Sequence, residues 1–506
     1  MRVLCGEFER YIEARMNNWF LNIYIDRGWV MWTAVAITTA LVLLLLPVGH
    51  KQVVLAHQHE QANNAQEAHA RQSGWWQSHW YTIIAAQVFW TVLMGVLGWI
   101  IVYLLSNVFV VFGVGLGDKV FMRVACGFAG VGYAISSAVM YRGWRRTIAF
   151  CLIPAAIVLS ALQVNAAYGQ YSTVRDVLGM PHFTEAHSFP RATTGVDDYL
   201  EKVKAGSIEV PKYGRIHSVA IPATESHFKA RHATVYIPPA ALTKDVPFLP
   251  VLMLLPGQPG NPSTFFTAGH MGEIADAYAS KHHGLAPVII SPDQLGNRFH
   301  NTLCADTIKY GKAQTYLMKD VVNWMEKKLP VTTNHKQWGI GGFSQGGTCS
   351  VELGPAYPHL FHYVIDVAGE DGPHAGSVQN MIENYFGGNK AAYERHLPKN
   401  TFSSHPYQGQ RIIFGAGQLD TLGQANCRNV SQYARQNGWS IQSVMSYGSA
   451  HDWTTVRAVT TYALADFGYM NGLGDKLDFS SFKGITHIAG IEPTAHHAHT
   501  SRNTQH

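Results

Sequence analysis

Four long, almost uncharged apolar runs crowd the first third of this 506-residue chain, and a segment built that way cannot fold as a water-soluble globule. Gly28 to Gly49 ends in Leu41-Val42-Leu43-Leu44-Leu45-Leu46; Trp80 to Leu105, Val120 to Met140 (with Arg123 near its start) and Thr147 to Ala167 follow. Each approaches the ~20 residues that cross a hydrocarbon core. One such run is readily a buried core helix, but four in succession are not. They predict an all-α transmembrane region over 1–167, with about four helices near 29–49, 80–105, 120–140 and 147–167. The first run is too long, and too closely preceded by charged sequence, for a cleaved signal peptide.

The connector Arg142-Gly143-Trp144-Arg145-Arg146 carries three positive charges and no acid, so the positive-inside rule assigns it to the cytoplasm. Everything after Ala167 is then expected outside. Four spans put the N-terminus outside too, which Arg2, Arg10, Arg15 and Arg27 oppose. A re-entrant piece at Asn107 to Leu116 would change the parity. The expected location is a bacterial cell membrane, multi-pass, with the remainder extracytoplasmic.

Composition narrows the partners. Charged residues are 14% and hydrophobic residues 47%, against about 25% charged in ordinary soluble domains. The net charge of +5 comes from 38 basic and 33 acidic residues without a basic stripe, so no nucleic-acid partner is expected. Of the 26 histidines, five stand at His50, His57, His59, His69 and His79, and four at His496, His497, His499 and His506. Their spacing makes no closed ligand set, so neither a metal nor another cofactor is expected.

Beyond a mixed polar stretch read as a linker (168–210), β-like and helical runs alternate. The β-like runs are Arg215 to Ile221, Ala233 to Ile237, Pro250 to Leu255, Pro287 to Ile290, Trp338 to Ile340, Tyr363 to Val367, Arg411 to Phe414 and Ile441 to Ser446. Such alternation predicts an α/β domain with a largely parallel sheet over 211–472, followed by a disordered, histidine-containing tail (473–506). Ligands of such sheets bind beyond the carboxyl ends of the strands.

At one of those ends stands Gly342-Phe343-Ser344-Gln345-Gly346-Gly347, between the β-like Trp338 to Ile340 and the helix candidate Cys349 to Ala356. A strand, a sharp turn and a helix around Gly-x-Ser-x-Gly lift a serine hydroxyl clear of the sheet. A serine needs a base, and the base a third group to hold its tautomer; in this setting both follow the serine, acid first. His451 and Asp420 each fall just beyond a β-like run in that order. Asp366 and Glu370 are rival acids, and Asp452 reads as a helix cap. The oxyanion donors are expected to be the backbone N–H groups of Gln345 and of Gln258 in Leu254-Leu255-Pro256-Gly257-Gln258-Pro259-Gly260, whose prolines have no N–H.

The Leu254-Leu255-Pro256-Gly257 loop, the elbow, Tyr357-Pro358-His359-Leu360-Phe361 and His451-Asp452-Trp453 resemble the putative-esterase family of α/β-hydrolases, which groups esterase D-like and feruloyl-type esterases with mycolyltransferases. The likeness covers about Tyr213 to Tyr469, and the helical first third looks like the anchor of membrane-bound bacterial members. Pro256 departs from the His or Asp that many relatives carry. The resemblance implies an α/β-hydrolase fold and an ester or acyl-lipid substrate.

Three readings of function follow. The first is a membrane-anchored serine ester hydrolase using Ser344, Asp420 and His451. The second is an acyltransferase moving the acyl group onto envelope sugars or lipids. The third is an inactive hydrolase-like binding module. An oxidising location would allow a disulfide, for which Cys304–Cys349 is the favoured pair; sequence does not fix the connectivity, and one thiol of the three beyond residue 300 stays free.

Overall fold

The computed structural model describes residues 19–47, 69–108, 117–180, 182–405 and 407–494, in two compact units, Met1–Leu178 and Gly179–His506. In the first unit, helices run over Trp29–Leu44, His69–Tyr103, Asp118–Met140 and Trp144–Tyr168. Three stretches, Tyr81–Ser106, Asp118–Met140 and Trp144–Tyr168, are long and apolar enough to cross a membrane. The first run falls short of the expected 29–49 span: its helix has 16 residues and ends at Leu44, a rise of about 24 Å at 1.5 Å per residue. Pro47, which disfavours helix in the residue before it, stands just beyond that end. Residues 109–116, which include most of the suggested re-entrant piece, lie outside the described residues, as do His50, His57, His59, His496, His497, His499 and His506.

Small residues and polar bridges, the devices of helix packing in lipid, hold these helices to one another. A Cβ on Gly132 would stand 2.3 Å from the Trp90 carbonyl oxygen, so the helices over 69–103 and 118–140 touch there through backbone. Gln87 Nε2 donates to Ser137 Oγ at 2.9 Å, and Tyr141 Oη donates to the Leu45 carbonyl at 2.9 Å. Arg123, the charge inside the third run, donates from Nη1 to the Gln163 carbonyl at 2.6 Å. Meanwhile Trp32, Val92 and Val139 point outward, the reverse of a soluble bundle.

The second unit is built on a nine-stranded sheet. Its strands are β1 (Arg215–Val219), β2 (Ala233–Ile237), β3 (Val251–Leu255), β4 (Val288–Ser291), β7 (Trp338–Phe343), β8 (Tyr363–Val367), β9 (Arg411–Gly417), β10 (Ser440–Ser446) and β11 (Ile485–Thr486), with a separate two-stranded ribbon of β5 (Asp306–Thr307) and β6 (Gly311–Lys312). The order is β1-β2-β4-β3-β7-β8-β9-β10-β11. From β4 to β10 every neighbour is parallel, and the antiparallel pairs lie at the two edges. This is an α/β-hydrolase sheet. Each of the eight β-like runs forms a strand. The central ones, β3, β7, β8 and β9, are buried along their whole length, which is why they read as continuous apolar runs.

Two expectations are corrected. Residues 168–210 are more than a linker: Val196–Lys204 is a helix whose Val196, Tyr199, Leu200 and Val203 follow the helical period, and Tyr199 is fully buried. The chain after 473 is ordered as far as 494. There β11 pairs with β10, Ile488 and Ile491 are buried, and Thr494 Oγ1 accepts the Ile441 N–H at 2.6 Å. Those apolar residues are too widely spaced to read as a strand.

A disulfide joins Cys304, in the loop after β4, to Cys349 in the helix that follows β7, across a separation of 45 residues. Closing a loop of that length removes about 4 kcal/mol of chain entropy from the unfolded state, and measured effects run at about 2–4 kcal/mol. Cys349→Ser, or reduction of the native chain, is therefore expected to lower the unfolding free energy of this unit by that amount in a denaturant titration with and without reductant. An unchanged midpoint would remove the bond from the fold's stability.

Candidate active site

Ser344 sits between β7 and the helix Gln345–Ala356, with φ 55° and ψ −120°, a conformation that costs a non-glycine residue about 1–3 kcal/mol. The surroundings hold it there. Its N–H donates to the Val367 carbonyl at 2.9 Å, and its carbonyl accepts the Thr348 N–H at 2.9 Å. Glycine is mandatory on both sides. A Cβ on Gly346 would fall 1.9 Å from the Leu255 carbonyl oxygen, and one on Gly342 would fall 2.2 Å from Gly346. The helix therefore starts directly against the end of β3.

That contact brings the loop after β3 to the serine. Gly257 lies so near that a Cβ there would be 3.2 Å from the Ser344 Cβ. The N–H of Gln345 is among the first N–H groups of a helix, which have no intrahelical acceptor. The side chain of Gln258 donates from Nε2 to the Phe299 carbonyl at 2.7 Å.

His451 and Asp420 meet across two loops. His451 Nδ1 and Asp420 Oδ2 are 2.8 Å apart, and a carboxylate acceptor there keeps the proton on Nδ1. Asp420 is 1% exposed; its Oδ1 accepts the Gly423 N–H at 2.9 Å, capping the helix Thr421–Gln436. Gly423 is itself required, since a Cβ there would be 2.4 Å from Asp420 Oδ2. Main-chain bonds tie the two loops, Gln418 N–H to the Ser446 carbonyl at 2.8 Å and Leu419 N–H to the Ser449 carbonyl at 2.9 Å. The imidazole leans on Phe343, the residue before Ser344, with ring centroids 4.8 Å apart. Its Nε2 is buried and has no hydrogen-bond partner among the described residues. Asp452 caps the helix Trp453–Met470 by accepting the Thr455 N–H at 3.0 Å.

Sequence reasoning missed the residues that fix the β3 loop. Arg231 grips Asp293, just after β4, through Nε to Oδ2 at 2.9 Å and Nη2 to Oδ1 at 2.6 Å, and its Nη1 donates to the Gly260 carbonyl at 3.1 Å. Gln294, fully buried, donates from Nε2 to the Pro256 carbonyl and to Gln345 Oε1 at 3.1 Å. No local motif announces these partners, which lie 29 to 62 residues apart.

The rival acids stand elsewhere. Asp366 is buried beneath the elbow, where Oδ1 accepts the Gly369 N–H at 2.9 Å and Oδ2 has no partner among the described residues. Burial pushes its carboxyl up to about 7. Burial, and secondarily Asp371, pushes Glu370 up to about 8. Neither has a hydrogen bond to His451. Among the described residues no group of three or more His, Cys, Asp or Glu is arranged to hold a metal ion.

Residues 226–466 match the family model described as "Putative esterase". A protein of Corynebacterium glutamicum described as uncharacterized is 28% identical over 318 residues, 61% of this chain and 72% of its own. Similar solved structures include an S-formylglutathione hydrolase from Agrobacterium tumefaciens, 16% identical over 53% of this chain and 98% of that one with a TM-score of 0.43. A ferulic acid esterase is also 16% identical, over 50% of this chain and 97% of its own, with a TM-score of 0.41.

Asp366 gives a pH test. Its folded value is raised from 3.8 to about 7, so the stability it leaves intact below pH 4 is lost as pH rises through 7. Asp366→Asn is expected to abolish that decline, so that its advantage over the native chain grows between pH 4 and pH 7 in urea titrations. Parallel pH profiles would show that Asp366 titrates normally.

Proposed function

We propose, from the match of residues 226–466 to the putative-esterase family model, that this chain is a membrane-anchored serine ester hydrolase acting through Ser344, His451 and Asp420. The observation that carries the reading is the imidazole. A buried carboxylate holds its Nδ1, while its Nε2 is buried, without a partner, on a ring that leans on the neighbour of Ser344. An imidazole held so is a base awaiting a proton.

In the proposed reaction Ser344 Oγ attacks the ester carbonyl as its proton passes to His451 Nε2. Asp420 stabilises the imidazolium that forms. Negative charge gathers on the former carbonyl oxygen, where the N–H groups of Gln345 and Gln258 receive it. Collapse breaks the bond to the alcohol, which leaves with the proton from Nε2. Water, deprotonated by the same imidazole, then releases the acid and restores Ser344. Transfer to another hydroxyl requires only that an alcohol replace that water. The three apolar helices support lipid anchoring.

Ser344→Ala is expected to lower kcat on a short-chain aryl ester by about 10⁴-fold or more, and Asp420→Asn by about 10⁴-fold, each with an unchanged thermal transition. A fluorophosphonate should label Ser344 alone; labelling of another residue in the folded native chain would move the nucleophile. Protease added to intact cells should digest the second unit, and complete protection would reverse the outward orientation.

A further inference from the structure

The loop that leaves β4, at the same end of the sheet as Ser344, carries two apolar tips. Phe299 is 69% exposed and Ile308 74%, the two highest values for a large apolar side chain among the described residues of the second unit. His300 stacks on Tyr310 with ring centroids 4.4 Å apart, so the two tips belong to one crest. Hydrogen bonds fix its backbone. The Phe299 carbonyl accepts Gln258 Nε2 at 2.7 Å, and the Ile308 N–H donates to the Tyr385 carbonyl at 3.0 Å. Between the tips, Cys304 is bonded to Cys349 of the elbow helix.

Scattered apolar residues are ordinary on a protein surface. Here each tip stands beside a cation. Arg298 lies over the Phe299 ring, 5.8 Å from its centroid, and Lys309 lies over Tyr310 and Tyr385 at 5.2 and 4.4 Å. Residues 296–312 hold Arg298, Lys309 and Lys312 against Asp306 alone. The Asp306 carboxylate is engaged by the Thr315 N–H at 2.9 Å and the Thr315 hydroxyl at 2.6 Å. Apolar side chains that enter the acyl boundary, with cations beside them at the level of the headgroups, are what an anionic bilayer surface binds.

The chain also enters the second unit at this crest. A Cβ on Gly179, the first residue of that unit, would stand 3.9 Å from Arg298 Nη1. Residues 169–178 alone join Gly179 to Tyr168, the last residue of an apolar helix long enough to cross a membrane. A peptide that short reaches at most about 40 Å, less than the ~50 Å breadth of a domain of this size. Any bilayer that holds the helix is therefore within reach of the crest.

We infer that the crest carrying Phe299 and Ile308 docks on the anionic surface of the bilayer in which the chain is anchored, the two side chains entering the lipid and Arg298 and Lys309 meeting its phosphates. The inference rests on the membrane-anchored reading for the presence of that bilayer and is independent of the chemistry at Ser344. Docked so, the strand ends that carry Ser344 lie toward the leaflet, the phase that holds an acyl-lipid ester.

The test uses the full chain in nanodiscs of phosphatidylcholine mixed with phosphatidylglycerol. Phe299, Ile308, Val139 and Phe248 are replaced in turn by photoreactive p-benzoylphenylalanine, and lipid adducts are read by mass spectrometry after illumination. Val139, turned outward on an apolar helix, reports the anchor; Phe248, exposed just before β3 at the other end of the strands, reports random collision. Adduct yields at 299 and 308 are expected to exceed that at 248 about tenfold or more, the effect of taking one such side chain out of water. Yields at 299 and 308 no higher than at 248, with a strong adduct at 139, overturn the inference and leave the anchor standing. Adducts at 299 and 308 with none at 139 sustain the docking and sink the anchored reading, and adducts at none of the three overturn both. In nanodiscs of phosphatidylcholine alone, yields at 299 and 308 should fall about fivefold or more while that at 139 holds, because each basic residue near an anionic surface contributes separately. Undiminished yields there overturn the assignment of an anionic partner.

Discussion

Everything at this site depends on how closely β3 approaches the elbow. The Leu255 carbonyl oxygen occupies the space where a Cβ on Gly346 would be, 1.9 Å away, and a Cβ on Gly342 would lie 2.7 Å from the same atom. Packed interiors do not absorb an overlap of that size by bending one bond; the strand end and the helix start would have to separate. Such a separation would move Pro256, Gly257 and Gln258 away from Ser344 together. The glycines thus do more than permit a tight turn. They set the distance between the helix that follows Ser344 and the loop that carries Gln258, the distance on which the proposed charge stabilisation depends.

Close packing places the β3 loop, and a buried polar framework keeps it from moving. Arg231 reaches from the start of β2 to Asp293 beyond β4 and holds the Gly260 carbonyl, while Gln294 holds the Pro256 carbonyl. Both ends of the segment 256–260 are therefore pinned. A charge as buried as Asp293 is tolerable only with partners, and it has the Arg231 guanidinium together with the N–H groups of Arg231 and Leu295. Across the sheet, the main-chain bonds between the loops after β9 and β10 do the same for Asp420 and His451. Each group sits on a short loop whose backbone is fixed by another loop, an arrangement suited to holding geometry within fractions of an ångström.

Much of this was legible because it is local. The central strands are continuous apolar runs, and the elbow is a contiguous motif. His451 and Asp420 are legible as candidates because each lies a few residues past a strand end, where such sheets carry their chemistry. What could not be read is what depends on distant partners. Asp293 and Arg231 are 62 positions apart, and nothing beside either residue points to the other. The tail strand is two residues long and gains its order by adding to an existing edge, so no periodicity marks it. The helix over 196–204 does carry the helical period, but only two turns of it, short enough to pass as linker beside the polar sequence around it. The first apolar run has the composition of a span without the length, since its helix ends at Leu44.

The three carboxyls considered for the acid show how environment sorts identical chemistry. Asp420 and Glu370 follow strands of the same sheet and Asp366 lies within one, so strand position alone ranks them poorly. Asp366 lies inside β8, directly under the elbow, where Cβ atoms on Gly347 and Gly369 would come within 2.6 and 2.4 Å of its Oδ1. It is enclosed, with one donor for two oxygens, and burial favours its neutral form. Glu370, just past the end of that strand, is tied by its N–H to Thr348 Oγ1, and its carboxyl meets no donor among the described residues. Only Asp420 has one donor for each oxygen, the Gly423 N–H and the His451 Nδ1–H. In the proposed reaction that pair of donors holds the carboxyl where it can orient the imidazole. A glycine at position 423, leaving room for the carboxyl, is as much a part of the assignment as the aspartate itself.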